Sequence, residues 1–352
     1  MRTRTFAGWL MLSASLAASP ALTQELTPYP GASDIAPPMV HNDHYDLVLE
    51  AGKGADIDPA KGYRIDDLGA GAFMVTEGIY QMMIVKTDEG LIVVDAPPPI
   101  GDKILKAAEE IAPGAKITHL VYSHAHVDHI GFAAQIVATN PGMEIVAHQE
   151  TADILARAGD ANRPMPTVTF DGIDQPFTLT AGGQSLELNY SGPNHEPGNI
   201  EIWHADSQTL MLIDVVFPGW MMWRRMAIAH DIPGVFDLVG SINAKYDFKT
   251  LVSGHVGRTG TKADVEAQWA FMTDLHGAAM KALGSTAIAE GMRAEDTTNP
   301  WAVFDNFIDR VTVQCVAELA PTWRDKLSGF DVFIYDQCMA MEQSIRVDGP
   351  SL

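Results

Sequence analysis

Metal-binding side chains are concentrated in one short stretch of the chain, residues 123–129, which reads Ser-His-Ala-His-Val-Asp-His. Its last six positions hold three imidazoles and one carboxylate, at His124, His126, Asp128 and His129. Side chains two residues apart in an extended chain point to the same side, so His124 and His126 can converge on one ion. We expect Asp128 and His129 on the turn that follows, ahead of a helix, where they can bind a second ion. Single histidines are usually structural, but four ligands at this spacing favour a metal site.

Three more candidate ligands follow strand-like apolar stretches further along the chain. His195 lies in the loop Gly-Pro-Asn-His-Glu-Pro-Gly-Asn between two such stretches, and Asp214 and His255 each end one. Open α/β sheets gather their binding sites at the carboxyl ends of the strands. The sequence therefore predicts that these three residues meet the first four. Asp95 also ends an apolar run, where a turn or a helix cap is the simpler interpretation.

In type and order these residues resemble the motifs of the metallo-β-lactamase superfamily, over roughly residues 65 to 260. The ligands that the resemblance implies are His124, His126 and His195 for the first ion and Asp128, His129 and His255 for the second. It further implies that Asp214 bridges both ions and that Asp95 is mainly structural. The implied fold is α/β, a four-layer αββα sandwich in which outer helices cover two central sheets.

The resemblance also implies a chemistry. The expected cofactor is a pair of Zn²⁺ ions, although other divalent metals suit the same ligands. Zinc lowers the pKa of bound water to about 7, so a hydroxide that bridges the ions can attack a carbonyl without a serine or cysteine. We place Asp128 in the catalytic step as well as in the metal site. The expected activity is hydrolysis of an ester or lactone, or of a thioester or amide, in a fairly hydrophobic small molecule.

Three other activities stay open at this point. A β-lactamase is disfavoured because Asp214 resembles the lactonase and glyoxalase II branches, whereas classical β-lactamases of the family usually have cysteine there or leave the position unused. The residues of the His195 loop resemble those of a branch of the superfamily that includes a hydrolytic dehalogenase of aromatic compounds. Sulfur dioxygenase relatives keep the same short histidine motif but use one iron, so metal content and oxygen uptake would identify them.

The loop after Asp214, Phe-Pro-Gly-Trp-Met-Met-Trp-Arg-Arg, lies close enough in sequence to border the metals. Its candidate substrate-binding residues are Trp220, Met221, Trp223 and Arg224. The apolar side chains can form a substrate wall, and Arg224 can hold an anionic group. Packing against C-terminal helices explains the apolar side chains equally well, so both interpretations stay open.

Four segments are expected along the chain of 352 residues. Residues 1–23 carry the basic, apolar and small-residue regions of a signal peptide, and residues 24–60 resemble an N-terminal arm with little regular structure. Residues 61–260 form the catalytic domain. Residues 261–352 form a helical extension, with helices starting near position 263 and at about 301–319 and 331–345.

The composition and the predicted signal peptide limit which partners are expected for the protein. The formal net charge of −22 disfavours nucleic acid, because affinity for nucleic acid depends on Lys and Arg contacts to phosphate. We expect an exported protein, periplasmic or secreted, that acts on a small molecule and is not inserted in a membrane after the signal is removed. Cys315 and Cys338 are equally compatible with a disulfide and with two buried thiols. The sequence leaves open whether the protein is a homo-oligomer.

Overall fold

The computed structural model describes residues 45–288 and 298–350. The predicted signal peptide and the predicted arm as far as residue 44 lie outside these ranges. Within them the chain forms two β-sheets with helices on their outer faces. The predicted α/β fold with C-terminal helices is therefore confirmed.

The first sheet holds the strands of the N-terminal half in their order along the chain. They are β1 (Arg64–Gly69), β2 (Ala72–Thr76), β3 (Gln81–Thr87), β4 (Gly90–Val94), β5 (Ile117–Val121), β6 (Glu144–His148) and β7 (Val168–Phe170). Strands β1 to β4 pair antiparallel, and β4 to β7 pair parallel. The parallel strands bring their carboxyl ends to one edge, where binding sites form in such sheets.

The second sheet holds five strands. They are β8 (Phe177–Ala181), β9 (Gln184–Asn189), β10 (Glu201–His204), β11 (Thr209–Leu212) and β12 (Thr250–Val252). The spatial order is β12-β11-β10-β9-β8, and only β11 and β12 are parallel. The carboxyl ends of β11 and β12 therefore lie side by side.

Helices cover the outer faces of both sheets. They are α1 (Lys103–Ile111), α2 (Val127–Ile130), α3 (Ala133–Thr139), α4 (Gln149–Ala158), α5 (Arg224–Ile228), α6 (Ile232–Lys245), α7 (Lys262–Ser285), α8 (Pro300–Trp323) and α9 (Phe330–Val347). Two of these, α2 and α5, are single turns. None of the helices in the described ranges is both long enough and apolar enough to cross a membrane.

The layers follow from the alternation of side chains along each strand. In β3, Met82 and Ile84 pack under α1 to α4, whereas Met83 and Val85 pack against the second sheet. Strand β11 repeats the pattern, because Met211 packs between the sheets and its neighbours Leu210 and Leu212 pack under the C-terminal helices. Both sheets are buried on both faces, so the molecule has four layers.

The C-terminal helices share one apolar core with the second sheet. Phe271 of α7, Leu319 of α8 and Met341 of α9 belong to the same buried cluster as Leu210 and Leu212. The extension therefore forms the layer that covers the outer face of the second sheet.

A disulfide joins two of these helices. Cys315 of α8 and Cys338 of α9 are bonded, and both are fully buried. The question that the sequence left open is therefore answered in favour of the bridge. The bond closes a segment of the chain across a sequence separation of 23.

Reduction of this disulfide should lower the free energy of unfolding by about 3 kcal/mol, because the bond restricts the unfolded chain over a loop of this length. Urea denaturation with and without reductant measures the difference. The control is the double variant Cys315→Ala/Cys338→Ala, which should not respond to reductant. An unchanged midpoint in the reduced wild-type protein would contradict the expectation.

Candidate metal centre

The structure brings the seven predicted metal ligands together at the carboxyl edge of the sheets. His124 and His126 follow β5, Asp214 follows β11, and His255 follows β12. Helix α2 begins at Val127 rather than at position 130, so Asp128 and His129 lie inside its single turn and not ahead of it. His126 is extended and directly precedes this helix as its N-cap residue.

The first ligand group contains His124, His126, His195 and Asp214. His126 Nδ1 lies 3.0 Å from His195 Nε2, and His195 Nε2 lies 3.3 Å from Asp214 Oδ2. His124 Nε2 lies 3.9 Å from the same carboxylate oxygen. All four ligand atoms lie within 4.8 Å of one another, a spacing that one ion can bridge.

The second group contains Asp128, His129 and His255. His129 Nε2 lies 3.2 Å from His255 Nε2 and 3.6 Å from Asp128 Oδ2. Asp214 reaches this group too, because its Oδ2 lies 3.0 Å from His129 Nε2 and its Oδ1 lies 3.1 Å from His255 Nε2. The Asp214 carboxylate therefore lies between the two groups, as expected of a bridging ligand.

A chain of hydrogen bonds fixes the tautomer of His124. Asp95 Oδ1 accepts from Ser123 N at 2.8 Å, and Asp95 Oδ2 accepts from Ser123 Oγ at 2.7 Å. Since Ser123 Oγ donates its proton to Asp95, it accepts at 2.9 Å from His124 Nδ1. The lone pair of His124 then lies on Nε2, which faces the first group. Asp95 thus acts on the site through Ser123, in agreement with a structural role.

The His195 loop is held by two buried amides. Asn194 Oδ1 accepts from His195 N at 2.7 Å and from Asn199 Nδ2 at 2.9 Å. Asn199 Nδ2 also donates to Ile213 O at 3.0 Å, one residue before Asp214. Asp214 itself has a positive φ of 61°, which a non-glycine residue rarely adopts. These bonds connect the loop of one ligand to the strained backbone of another.

Burial and charge set the protonation of the site. Burial lowers the pKa of His195 to about 4 and holds that of His124 well below its usual value, so both imidazoles stay neutral. Burial alone would raise the pKa of Asp214, but His129 and His255 outweigh it and keep the pKa well below the ordinary value. The same carboxylate offsets the burial of His129 and raises its pKa to about 9.

The donor set fits a metal. His124 Nε2 is buried and has no hydrogen-bond partner among the described residues. A buried polar nitrogen without a partner is costly unless an ion or another donor occupies the space it faces. Neutral His124 and His195 and deprotonated Asp214 are in the forms that a divalent metal requires, and a metal bound at His129 would displace the proton that its raised pKa retains.

A cavity of about 880 Å³ opens over both ligand groups. Trp220, Met221 and Trp223 line it, and Met221 and Trp220 also pack in the apolar core shared with the C-terminal helices, so both interpretations of the loop after Asp214 agree with the structure. Arg224 is not among the lining residues, and its guanidinium lies 2.5 Å from Asp336 of α9. The structure therefore pairs Arg224 outside the cavity and does not support the expectation that it holds a substrate anion.

The N-terminal arm forms part of the cavity wall, which the sequence did not indicate. Trp220 Nε1 donates to Gly52 O at 2.6 Å, and Val48 and Lys53 also line the cavity. Gly52 permits this contact, since a Cβ there would lie 2.7 Å from Trp220 Nε1. Leu49 N donates to Ser328 Oγ at 2.9 Å and anchors the arm beside α9.

A left-handed backbone turn forms part of the cavity lining. The central residues of α5, from Arg225 to Ile228, all have φ near +50°, a left-handed conformation that costs about 1–2 kcal/mol per residue. Gln337 of α9 holds this turn. It accepts from Met226 N at 2.7 Å and donates to Met222 O at 2.7 Å and to Trp223 O at 2.8 Å. Gln337 is fully buried, and no local motif marks it in the sequence.

Substitution of a single ligand should change the metal stoichiometry. His126→Ala should lose the first ion, and Asp128→Ala should weaken only the second, because each side chain belongs to one group. Elemental analysis of purified protein measures the zinc content. His276→Ala, outside both groups, is the control. Wild-type metal content in both ligand variants would refute the assignment.

Gln337→Leu should lower the free energy of unfolding by about 3 kcal/mol, since it removes the side-chain partner of the backbone N–H of Met226 and of the carbonyl of Met222. Urea denaturation followed by tryptophan fluorescence gives the value. Gln343→Leu is the matched control, because Gln343 lies on the same helix and is exposed. Equal stabilities of the two variants would show that Gln337 does not hold the turn.

The family model of the metallo-beta-lactamase superfamily matches residues 75–255, a range that includes the seven ligands. The 2,4-dinitroanisole O-demethylase subunit alpha of Nocardioides sp. (strain JS1661) is 27 % identical over 196 residues, 52 % of this chain and 55 % of that protein. The hydroxyacylglutathione hydrolase of Rhodospirillum rubrum is 33 % identical over 123 residues, 34 % of this chain and 41 % of that protein. The chain thus spans about half the length, or less, of these two curated relatives.

Among solved structures, a metallo-beta-lactamase from Pontibacter korlensis superposes with a TM-score of 0.50 at 19 % identity. The superposition covers 59 % of this chain and 97 % of that chain. At this identity the similarity concerns the fold alone. Because the family model matches half of the chain and the same fold surrounds the site, the protein belongs to the metallo-β-lactamase superfamily.

Proposed function

We propose that the protein is a dinuclear zinc hydrolase that cleaves an ester or lactone bond in a hydrophobic small molecule. The observation that carries the proposal is the Asp214 carboxylate, whose two oxygens lie 3.0–3.3 Å from the ligand nitrogens of His129, His195 and His255. A carboxylate shared in this way suits two ions held close together. Members of the superfamily are mostly metal-dependent hydrolases.

The metals would supply hydroxide at neutral pH, because zinc lowers the pKa of bound water to about 7. Side chains of the protein would position the water and the proton acceptor. Asp128 is partly exposed to the cavity, so its carboxylate can orient a water or accept a proton there. Tyr80 donates to Asp128 Oδ2 at 3.3 Å. Burial, followed by the nearby Asp128, raises the pKa of Tyr80 to about 12, so the hydroxyl keeps its proton and can donate.

The cavity walls support a hydrophobic substrate. Phe217, Trp220, Met221 and Trp223 line the cavity above the ligand groups, together with Phe333 of α9. Apolar walls with a few polar groups at one end are typical of small-molecule sites. The Nocardioides relative is named for 2,4-dinitroanisole and the Rhodospirillum relative for hydroxyacylglutathione. Of these two compounds, 2,4-dinitroanisole is the better match to the apolar walls of the cavity.

We also propose that the protein is exported, to the periplasm or outside the cell, where it acts on a small molecule. The Cys315–Cys338 disulfide supports this, since such bonds persist in oxidising compartments. The basic and apolar pattern of residues 1–23 supports it too. Fractionation of cells that express the full chain tests the location, and recovery in the cytoplasm with reduced thiols would contradict it.

A substrate panel tests the activity. Protein loaded with two equivalents of zinc should hydrolyse an aryl ester or an acyl lactone, and His126→Ala should lose at least 99 % of the rate, because removing a metal ligand removes the nucleophile. Initial rates on these substrates, a thioester and a cephalosporin rank the bond type. Sulfur-dependent oxygen uptake with one bound iron, and no hydrolysis, would replace the proposal with oxygen chemistry.

A further inference from the structure

The cavity has almost no free positive charge apart from the ligand histidines and the ions they would hold. Of the described residues that line it, one, Lys53, is a lysine or arginine. Lys53 Nζ lies 2.5 Å from Glu50 Oε1, and its side chain is 51 % exposed. Two nearby arginines are also paired, Arg224 with Asp336 and Arg258 with Asp264. The exposed Arg225 is not among the lining residues.

The same walls carry one acidic side chain outside the ligand groups. Asp56, Asp128 and Asp214 line the cavity. Two of these belong to the ligand groups, and Asp56 lies in the arm near the opening. A substrate anion held away from the metals would lose its hydration, which is unfavourable. Among the described lining residues its only cationic partner would be Lys53, which already contacts Glu50. The protein as a whole carries a formal charge of −22 and adds to the repulsion.

Five Tyr, Phe and Trp side chains line the cavity. They are Tyr80, Phe217, Trp220, Trp223 and Phe333. Two of them are held by hydrogen bonds of their own side chains. Trp220 Nε1 donates to Gly52 O at 2.6 Å, and the Tyr80 hydroxyl donates to Asp128 Oδ2 at 3.3 Å. Fixed rings bind another ring in stacked or edge-to-face geometry without losing much side-chain entropy.

The rim of the cavity continues this surface outwards. Ile79, Val127 and Trp223 line the cavity and are 64 %, 51 % and 49 % exposed. They lie on the β2–β3 turn, at the start of α2 and directly before α5, three segments that are far apart in the sequence. Large exposed apolar side chains grouped around a cavity mark a binding surface.

We propose that the substrate is an uncharged molecule with an aromatic ring, and that the cavity discriminates against molecules with an anionic group away from the bond that is cut. This inference rests on the hydrolase function proposed above and names its substrate class. It separates the protein from enzymes that act on carboxylate-bearing thioesters or lactams.

Three matched ketones that cannot be hydrolysed test the inference on zinc-loaded protein by isothermal titration calorimetry. They are para-methylacetophenone, its cyclohexyl analogue, and para-acetylbenzenesulfonate, whose sulfonate is a weak zinc ligand. The aromatic ketone should bind roughly five-fold more tightly than the cyclohexyl analogue. It should bind at least about ten-fold more tightly than the sulfonate, which has no free cation to pair with.

Variants assign these preferences to the cavity. Trp220→Leu should remove the preference for the aromatic ketone, and Trp220→Phe should keep it. Trp301→Leu is the control, because Trp301 lies on α8, is 78 % exposed and does not line the cavity. Ile79→Lys should bind the sulfonate more tightly than Ile79→Gln does, since both variants lose the apolar side chain and only the lysine places a cation at the rim.

The outcomes separate this inference from the hydrolase proposal, because binding is measured without turnover. Sulfonate binding equal to that of para-methylacetophenone, or a Trp220→Leu protein that keeps the aromatic preference, would overturn the inference even if esters are hydrolysed. The expected order of affinities in a protein that hydrolyses no ester or lactone would support the inference and overturn the reaction alone.

Discussion

One buried carboxylate organises the molecule. Asp214 lies among histidines from both ligand groups, and its charge is stable there only because His129 and His255 offset the cost of burial. The loops that carry those histidines must therefore hold their positions closely. Most of the hydrogen bonds around the site serve that purpose, including those of Asp95 to Ser123 and of Asn199 to the residue before Asp214.

The fold satisfies this constraint by layering. Parallel strands β4 to β7 and the pair β11 and β12 deliver ligands to one edge, and buried side chains on both faces keep the strands fixed. The C-terminal helices contribute more than a cover. Gln268 and Gln337 reach from α7 and α9 to the backbone of residues 215–226, so the extension shapes the cavity above the metals. The site and the extension thus form one structural unit.

Local patterns were sufficient for the ligands and the layers, and they failed where the partner is distant. His124 and His126 can be identified from the sequence because their spacing is typical of metal ligands. Strands β3 and β4 can be identified because continuous apolar runs are typical of strands buried on both faces. No local feature of the sequence reveals that Arg224 pairs with Asp336, because the two residues are 112 positions apart. The arm's contact with Trp220 and the role of Gln337 were missed for the same reason. Only the folded chain brings them together.

The central claim is that Asp214 serves two ions at once. Asp214→Asn keeps the shape of the side chain and removes the charge, so it tests the claim with little change in packing. Competition titration with a zinc chelator should show two tightly bound ions in the wild-type protein and weakened binding of both in the variant. A variant that binds two ions with wild-type affinity, or that loses one and keeps the other unchanged, would contradict the account.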